Sequence, residues 1–190
     1  MYQKYHTEAL VLASRESGEN DRAYALYTKE FGLVRARAVG VRLQKSKMRY
    51  ALQNYALVHV SLIRGKRGWR IAGASAIRNA AGDIRGIKTF ARTSALVLRL
   101  IHGEEQNEYL YAALAEAHGA LMVDICDAAG MVELICVARV LYSLGYISDE
   151  ALKTALFTHT AYTGESLMEA ETLRDKLLLS INRAIAETQL

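Results

Sequence analysis

The sequence predicts an α+β protein of two modules, in which a small β-barrel or sandwich precedes an all-helical domain. Period-two alternation of apolar residues occupies the first 80 residues, and helical spacing begins near residue 84. The net charge changes sign between the same two parts. A chain of 190 residues has room for one large or two small domains, and we place the domains at 1–80 and 81–190.

Short alternating runs predict five strands in the first domain. The strands are predicted at residues 9–12, 24–28, 33–41, 55–63 and 69–74. In the third run Arg35 and Arg37 share one face of the strand, and three apolar residues share the other. Glycines at both ends of residues 65–68 predict a hairpin connection. Five short strands in this space are typical of a small barrel or sandwich.

The apolar spacing from Ile84 onward predicts helices. The first begins near residue 84, the second covers about residues 107–123, and the third covers about 131–144. The third is apolar nearly all round, which predicts a buried central helix. Leucines and isoleucines from Leu167 to Ile185 predict one long final helix.

The formal net charge of +4 conceals a strong asymmetry along the chain. Residues 1–80 contain 15 basic and 5 acidic residues, whereas residues 81–190 contain 9 basic and 15 acidic ones. The first part therefore carries +10 and the second −6. A basic part points to nucleic acid or to an anionic membrane, and an acidic part to a different partner.

The sequence argues against several functional classes. The most apolar stretch, residues 131–147, contains Glu133 and Arg139, so no run reaches the ~18 residues that a membrane span needs. Residues 1–15 lack an apolar segment followed by a small-residue cleavage site, so we expect no secretion. Two isolated cysteines, Cys126 and Cys136, do not suit a disulfide framework, and we expect a reducing, cytoplasmic location.

No catalytic constellation is visible, and we expect that the protein is not an enzyme. The 13 glycines form no phosphate-binding loop, and no nucleophile elbow is present. The five histidines are scattered, and the two cysteines lack the second pair that a tetrahedral zinc site requires. We therefore expect no cofactor and no metal.

A dense group of basic residues is the strongest functional signal. Between Arg35 and Arg70, ten positive charges fall within 36 residues with no acid among them. If their strands and loops are neighbours, the charges converge on a groove that follows phosphates while aromatic rings stack on bases. The alternative is a solvated face that maintains solubility. The candidate nucleic-acid-binding residues are Arg35, Arg37, Arg42, Lys45, Lys47, Arg49, Tyr50, Arg64, Lys66, Arg67, Trp69 and Arg70.

Two details of this group stay open in the sequence. Tyr50 and Trp69 lie within the basic segments, where stacking on a base and packing in the core are equally compatible with their positions. Residues 42–50 have four positive charges and no strand pattern, and we expect a mobile basic loop there.

Several short segments of the first 80 residues have an order and spacing that are specific only when taken together. They are Thr7-Glu8-Ala9-Leu10-Val11-Leu12, Ser14-Arg15-Glu16-Ser17-Gly18-Glu19-Asn20-Asp21-Arg22, Tyr27-Thr28-Lys29-Glu30-Phe31-Gly32-Leu33-Val34-Arg35-Ala36, Gly40-Val41-Arg42, Lys45-Ser46-Lys47, Leu52-Gln53 and Arg64-Gly65-Lys66-Arg67-Gly68. With them the sequence resembles the RecO family of bacterial DNA repair and recombination mediators. The resemblance covers residues 5–78, and over 83–190 it is only architectural.

The resemblance implies an OB-fold barrel followed by a helical domain. It implies a mediator that binds single- and double-stranded DNA without strong sequence preference, anneals complementary strands and helps to load RecA. The implied partners are DNA, RecR and the acidic C-terminal tail of single-strand binding protein, with RecA reached indirectly and no membrane. Such a protein is expected in the cytoplasm, associated with the nucleoid.

The sequence also departs from the family pattern. Many members carry a four-cysteine zinc site in the helical domain, whereas no cysteine follows Ile147 here, so we predict no zinc. The usual proline after the Leu-Gln pair is Asn54, and the chain is shorter than the family leads us to expect. We therefore expect a short form that lacks the zinc site.

An acidic peptide with a hydrophobic end requires an apolar pocket beside a positive group. Arg99 and Arg139 are the candidates for contacting the tail of single-strand binding protein, and a salt bridge on the helix surface is the alternative for each.

Two other functions stay open. OB barrels serve both DNA and RNA, so an RNA-binding or ribosome-associated protein would show the same pattern. An enzyme or regulatory protein whose helical domain holds a small ligand is the other alternative, and the missing catalytic constellation argues against it.

Overall fold

A computed structural model describes residues 3–123, 127–148 and 152–188. The chain divides into two compact units, one of residues 1–80 with 100–108 and one of residues 81–99 with 109–190. The strands belong to the first unit and helices dominate the second, which confirms the predicted fold class. Residues 100–108, which the sequence pattern placed in the helical part, group with the strands.

Five strands of the first unit form a closed barrel. Its order is β1-β2-β3-β5-β4, and β4 pairs with β1 to close it. The β3–β5 pair is parallel and the other pairs are antiparallel. A five-stranded barrel of this kind is an OB-fold, so the barrel is the correct one of the two predicted architectures. The strands are β1 (Lys4–Glu16), β2 (Arg22–Thr28), β3 (Gly32–Ala38), β4 (Leu57–Gly65) and β5 (Gly68–Arg78).

Alternate side chains of the strands fill the barrel. Val34, Ala36 and Ala38 of β3 belong to the buried core, whereas Arg35 and Arg37 between them are exposed. This confirms the predicted two faces of the strand, because successive side chains of a β-strand point to opposite sides.

A short helix, α1 (Met48–Ala51), lies in the segment predicted as an irregular loop. The loop predicted for residues 42–50 is therefore wrong for residues 48–50, which belong to this helix. Met48 and Leu52 pack against the barrel core, and the Leu52 N–H donates to the Met48 carbonyl at 2.9 Å. Burial of these apolar side chains stabilises one helical turn among the charges.

Gly32, at the start of β3, lies against the backbone of residues 100–108. Its φ of 63° is in the left-handed region, and a Cβ there would lie 2.0 Å from the Glu105 carbonyl oxygen. Glycine is therefore the residue that both the backbone angle and the close approach permit.

The second unit is built from five described helices of eight residues or more. They are α2 (Ile84–Leu100), α3 (Glu108–Leu121), α4 (Ala129–Ser143), α5 (Gly164–Thr172) and α6 (Arg174–Glu187). Helix α4 packs against α5 and α6 and is the most deeply buried, as its apolar composition predicted. Within the described ranges, no helix combines the length and apolar character that a membrane crossing requires.

The single long final helix that the sequence predicted is two helices in the structure. Leu173 separates α5 from α6, with φ and ψ of −97° and 6°. Ser166 and Ala170 before the break, and Leu177 and Ile181 after it, are all buried. Because this buried stripe keeps its spacing of three or four residues on each side, apolar periodicity alone does not reveal the break.

Arg139, a candidate for contacting a protein partner, is fully buried in α4, and that expectation is wrong. Its guanidinium donates to three carbonyls, those of Leu156 at 2.9 Å, Thr160 at 2.7 Å and Ala161 at 3.1 Å. The charge also lies 4.7 Å from the centre of the Tyr162 ring. Arg139 therefore anchors the segment before α5 to α4.

Replacing Arg139 by alanine should destabilise the protein by about 3 kcal/mol, because charged hydrogen bonds are lost and buried carbonyls lose their donors. Urea unfolding followed by circular dichroism measures the change. Arg99→Ala on the exposed side of α2 is the matched control, and its effect should stay within about 0.5 kcal/mol. Equal effects of the two substitutions would contradict the anchoring role.

Candidate nucleic-acid interface

A row of arginines crosses the outer face of the barrel. The strand register aligns Arg15 of β1 with Ala23 of β2, Ala23 with Arg37 of β3, and Arg37 with Arg70 of β5. Neighbouring strands lie about 4.8 Å apart, and aligned residues project from the same face. The three arginines therefore form one band of positive charge across four strands.

A groove runs beside this band. In the next row of the register, Ala13 and Ala25 align with Arg35. Small alanines between long arginines leave a groove of about 250 Å³, at the face where OB-folds bind oligonucleotides. The groove is lined by Ala13, Ser14, Arg15, Ala23, Tyr24, Ala25, Arg35, Ala36, Arg37, Arg67 and Trp69. We call it the arginine groove, after Arg15, Arg35, Arg37 and Arg67.

Arg15 is a residue of the groove that the sequence analysis missed. Strand β1 continues to Glu16, well beyond the run of residues 9–12 that showed alternation. A β-bulge between Val11 and Ala13 then shifts the register by one residue. Strict alternation from Val11 would turn Arg15 inward, whereas the bulge turns it outward. A strand prediction that extended through residue 16 and allowed a bulge could have found it.

Arg37 is held in place by an acid of the β1–β2 connection. Its guanidinium donates to one carboxylate oxygen of Asp21, with Nε at 2.8 Å and Nη2 at 2.7 Å. The other oxygen accepts the Gly40 N–H at 2.7 Å. The Gly40 N–H, with Arg37 as a further cause, lowers the pKa of Asp21, although desolvation opposes the shift. Asp21 therefore fixes Arg37 and offsets part of its charge.

The other arginines of this face have their charges free. Arg15, Arg35, Arg67 and Arg70 are exposed and form no ion pair with another described residue. Guanidinium groups are always protonated and can bind phosphate through two parallel hydrogen bonds. The face can therefore bind several phosphates at once.

The hairpin between β4 and β5 lies at one side of the groove. Gly65 pairs with Gly68, and Lys66 and Arg67 are exposed at the turn, as the glycine pattern predicted. Of the two basic residues at the turn, Arg67 lines the groove and Lys66 does not. Arg64 instead lies 3.5 Å from Glu104, so its charge is partly offset.

Trp69 lies in the core rather than on a surface where bases could stack. Its side chain is 5% exposed and meets Tyr5 and Phe31, with ring centres 5.5 and 5.4 Å away. Its Nε1–H donates to Glu104 at 2.9 Å, and the Arg64 guanidinium lies 5.3 Å from the ring centre. Trp69 therefore closes the barrel interior: of the two roles that the sequence left open, packing in the core is correct and stacking on a base is wrong.

The remaining candidates lie on residues 42–50, which we call the basic loop. The loop is tied to the β1–β2 connection, because the Arg42 N–H donates to the Asn20 carbonyl at 3.0 Å. The Arg42 guanidinium pairs with Glu16 at 3.1 Å. Lys45 and Lys47 are exposed and form no ion pair with a described residue.

Tyr50 is the last residue of the basic loop and is 60% exposed. The Arg49 guanidinium lies 4.6 Å from the Tyr50 ring centre and donates to its hydroxyl at 2.5 Å. Tyr50 does not line the arginine groove. Its ring is therefore already in contact with a cation, outside the groove.

A second, smaller set of arginines surrounds a cleft of about 310 Å³. Arg22 is a further residue that the sequence analysis missed, because it lies before the strand predicted at residues 24–28, whereas the observed strand begins at Arg22. Its Nε is buried and has no hydrogen-bond partner among the described residues. The cleft is therefore suited to an oxygen anion. It is lined by Glu16, Arg22, Tyr24, Val41, Arg42 and Arg49.

The helical unit carries a separate apolar cleft of about 230 Å³ between α4 and α6. Arg174 stands at this cleft and pairs with Glu171 at 3.3 Å on the surface. Arg99, the other expected partner residue, is exposed on α2 and does not line it. The lining residues are Gly130, Met131, Glu133, Leu134, Val137, Arg174, Leu178 and Ile181.

His6, His118 and Cys136 take structural positions. His6 shares a hydrogen bond of 2.9 Å with Ser61, and His118 is buried. Cys136 is a free, buried thiol, and burial raises its pKa to about 11. Cys126 lies outside the described residues. Among those described, no group of three His, Cys, Asp or Glu side chains is placed to hold a metal ion.

Comparison with known proteins finds that the barrel region is similar to the family that the sequence resembled. Residues 1–79 match the family described as "Recombination protein O N terminal". Relatives named "DNA repair protein RecO" include one from Desulfitobacterium hafniense, 44% identical over 62 residues, covering 33% of this chain and 23% of the relative. Another, from Bifidobacterium animalis, is 37% identical over 93 residues, covering 48% of this chain and 39% of the relative. The matches thus span less than half of these relatives' length.

The buried position of Trp69 has a simple spectroscopic consequence. Trp69 is the sole tryptophan of the chain, so intrinsic fluorescence reports on it alone. Acrylamide and iodide should quench its emission far less than that of free tryptophan, because the ring is enclosed by Tyr5 and Phe31. Quenching should rise to the free level in urea, which is the control. Ready quenching in the folded protein would place the ring at the surface.

Proposed function

We propose, on the premise that residues 1–79 form the N-terminal domain of the RecO family, that this chain acts in DNA repair and homologous recombination. It binds single- and double-stranded DNA, anneals complementary strands and helps to load RecA onto DNA coated with single-strand binding protein. The arginine groove on the oligonucleotide-binding face of the barrel is the observation that carries this proposal.

The composition of the groove supports binding without strong sequence preference. Its charged groups are guanidiniums, which bind phosphates, and its floor consists of alanine methyl groups. Contacts to phosphates fix a strand in place but carry no sequence information. Arginine is also permanently protonated and cannot act as a base at neutral pH, which supports a binding role rather than an enzymatic one.

The presence of a second basic region supports strand annealing. The basic loop contributes Lys45 and Lys47 and borders the cleft of Arg22, Arg42 and Arg49. Two basic surfaces on one barrel provide a place for each of two strands. They also lower the mutual repulsion of two phosphate backbones as the strands approach each other.

The helical unit supports a separate role in protein contacts. Residues 81–190 carry −6 in total, but Glu104, Glu105 and Glu108 group with the barrel, so the helical unit itself carries −3 and does not favour DNA. The α4–α6 cleft combines an apolar lining with Arg174, which is the chemistry that an acidic peptide with a hydrophobic end requires. We propose this cleft, instead of Arg99 and Arg139, for the tail of single-strand binding protein. The roles of RecR and RecA in this proposal rest only on the similarity to the RecO family.

Replacing Arg15, Arg35 and Arg67 together by alanine should weaken binding of single-stranded DNA and flatten its dependence on salt. Three lost phosphate contacts should reduce the slope of log K against log salt by about 2. Fluorescence anisotropy with a labelled oligonucleotide at several salt concentrations measures both quantities.

The control for that experiment removes the same charge from the helical unit, through Lys88→Ala, Arg99→Ala and Lys176→Ala, all at exposed positions. Its salt slope should equal that of the unaltered protein. An unchanged slope in the groove variant, or an equal loss in the control, would contradict a phosphate-binding groove.

Replacing Lys45, Lys47 and Arg49 together by alanine should reduce affinity for all sequences alike and should slow annealing more than it weakens single-strand binding. Annealing of two complementary labelled oligonucleotides, followed by energy transfer between their labels, measures the rate. A matched RNA competitor distinguishes the two nucleic acids, and a large preference for RNA would favour the RNA-binding alternative. Annealing at the unaltered rate would remove the basic loop from the mechanism.

A further inference from the structure

We infer that the arginine groove holds a single strand by its sugar-phosphate backbone and leaves the bases facing solvent. The inference rests on the proposed function and specifies how the strand is bound. Proteins that bind single strands commonly place aromatic rings where the bases lie, and each ring stacks on a base. The groove of this barrel is built differently.

The floor of the groove consists of methyl groups. Ala13, Ala23 and Ala25 lie side by side on β1 and β2, at the positions where a stacking ring would have to project from the sheet. An alanine side chain offers one methyl group and no π surface. A deoxyribose can pack on such a floor, whereas a base gains little there beyond what water provides.

The aromatic side chains near the groove are buried in the barrel core. Tyr24 and Trp69 border the groove, but they are only 3% and 5% exposed. Trp69 meets Tyr5 edge-on, and its indole N–H is bonded to Glu104. Turning either ring outward would open the core, so the rings are not available to bases.

Charge lies on both sides of the alanine floor. Arg15 stands on β1, at one side, and Arg35 and Arg37 stand on β3, two strands away. That separation is about 10 Å, since neighbouring strands are about 4.8 Å apart. A backbone placed along the floor has guanidiniums within reach on either side. Its phosphates then face the protein, and its bases point away from it.

This arrangement suits annealing. Bases that point into solvent keep their hydrogen-bonding edges free, so a second strand can pair with the bound one before it is released. A strand whose bases are stacked on protein rings must first be detached from them.

Oligonucleotides without bases test the inference. The full chain is titrated into two labelled 20-mers, one of thymidines and one in which tetrahydrofuran abasic units replace the thymidines in the central ten positions. We expect dissociation constants within twofold of each other, at both low and high salt. Each stacked base strengthens binding by about fivefold or more, so stacking would separate the two ligands by tenfold or more.

The outcomes distinguish the inference from the function on which it rests. Tenfold weaker binding of the abasic oligonucleotide would overturn the inference and leave DNA binding intact. Failure to bind either oligonucleotide would overturn both. The Arg15→Ala variant should weaken both ligands by the same factor, and a larger loss for the thymidine oligonucleotide would show that Arg15 itself stacks on a base.

Permanganate reactivity gives an independent readout of the same arrangement. Permanganate attacks thymines whose faces are open, so bound thymines should react as readily as free ones. Strong protection of bound thymines would overturn the inference.

Discussion

The closure of the barrel through β1 is the constraint on which the rest of the first unit depends. This one strand pairs with β4 along residues 4–10 and with β2 along residues 9–16. A flat strand cannot turn enough to serve both neighbours, and the bulge after Val11 provides the extra bend. Closure leaves no free sheet edge, and the same bulge turns Arg15 to the outer face. The fold and the arginine groove thus depend on the same local irregularity.

Some arginines of the barrel surface form ion pairs, and others form none with a described residue. Arg37, Arg42 and Arg64 each have an acidic partner, and these pairs connect strands to loops. Arg15, Arg35, Arg67 and Arg70 have none among the described residues. The paired arginines order the surface, and the free ones provide the charge that a phosphate backbone can use. A count of basic residues in the sequence treats both kinds alike.

Much of the fold could be predicted from the sequence, because alternation and helical spacing record which side chains are buried. The two faces of β3 and the buried character of α4 follow from those patterns. The position of Arg15 could not be predicted, since a bulge changes the parity of a strand without changing its composition. The sequence also could not distinguish Trp69 and Arg139 in the core from surface residues, because their contacts come from distant segments.

The return of residues 100–108 to the first unit affects how separable the two units are. The chain enters the helical unit after residue 80, returns at residue 100 and leaves again after residue 108. Glu104 receives the indole N–H of Trp69, and the Glu105 backbone covers Gly32. A fragment that stopped at residue 80 would lack both, so the barrel with its complete core requires chain from beyond the first helix of the other unit. The two units are interleaved in sequence, and an evolutionary exchange of either one would have to carry part of the other with it.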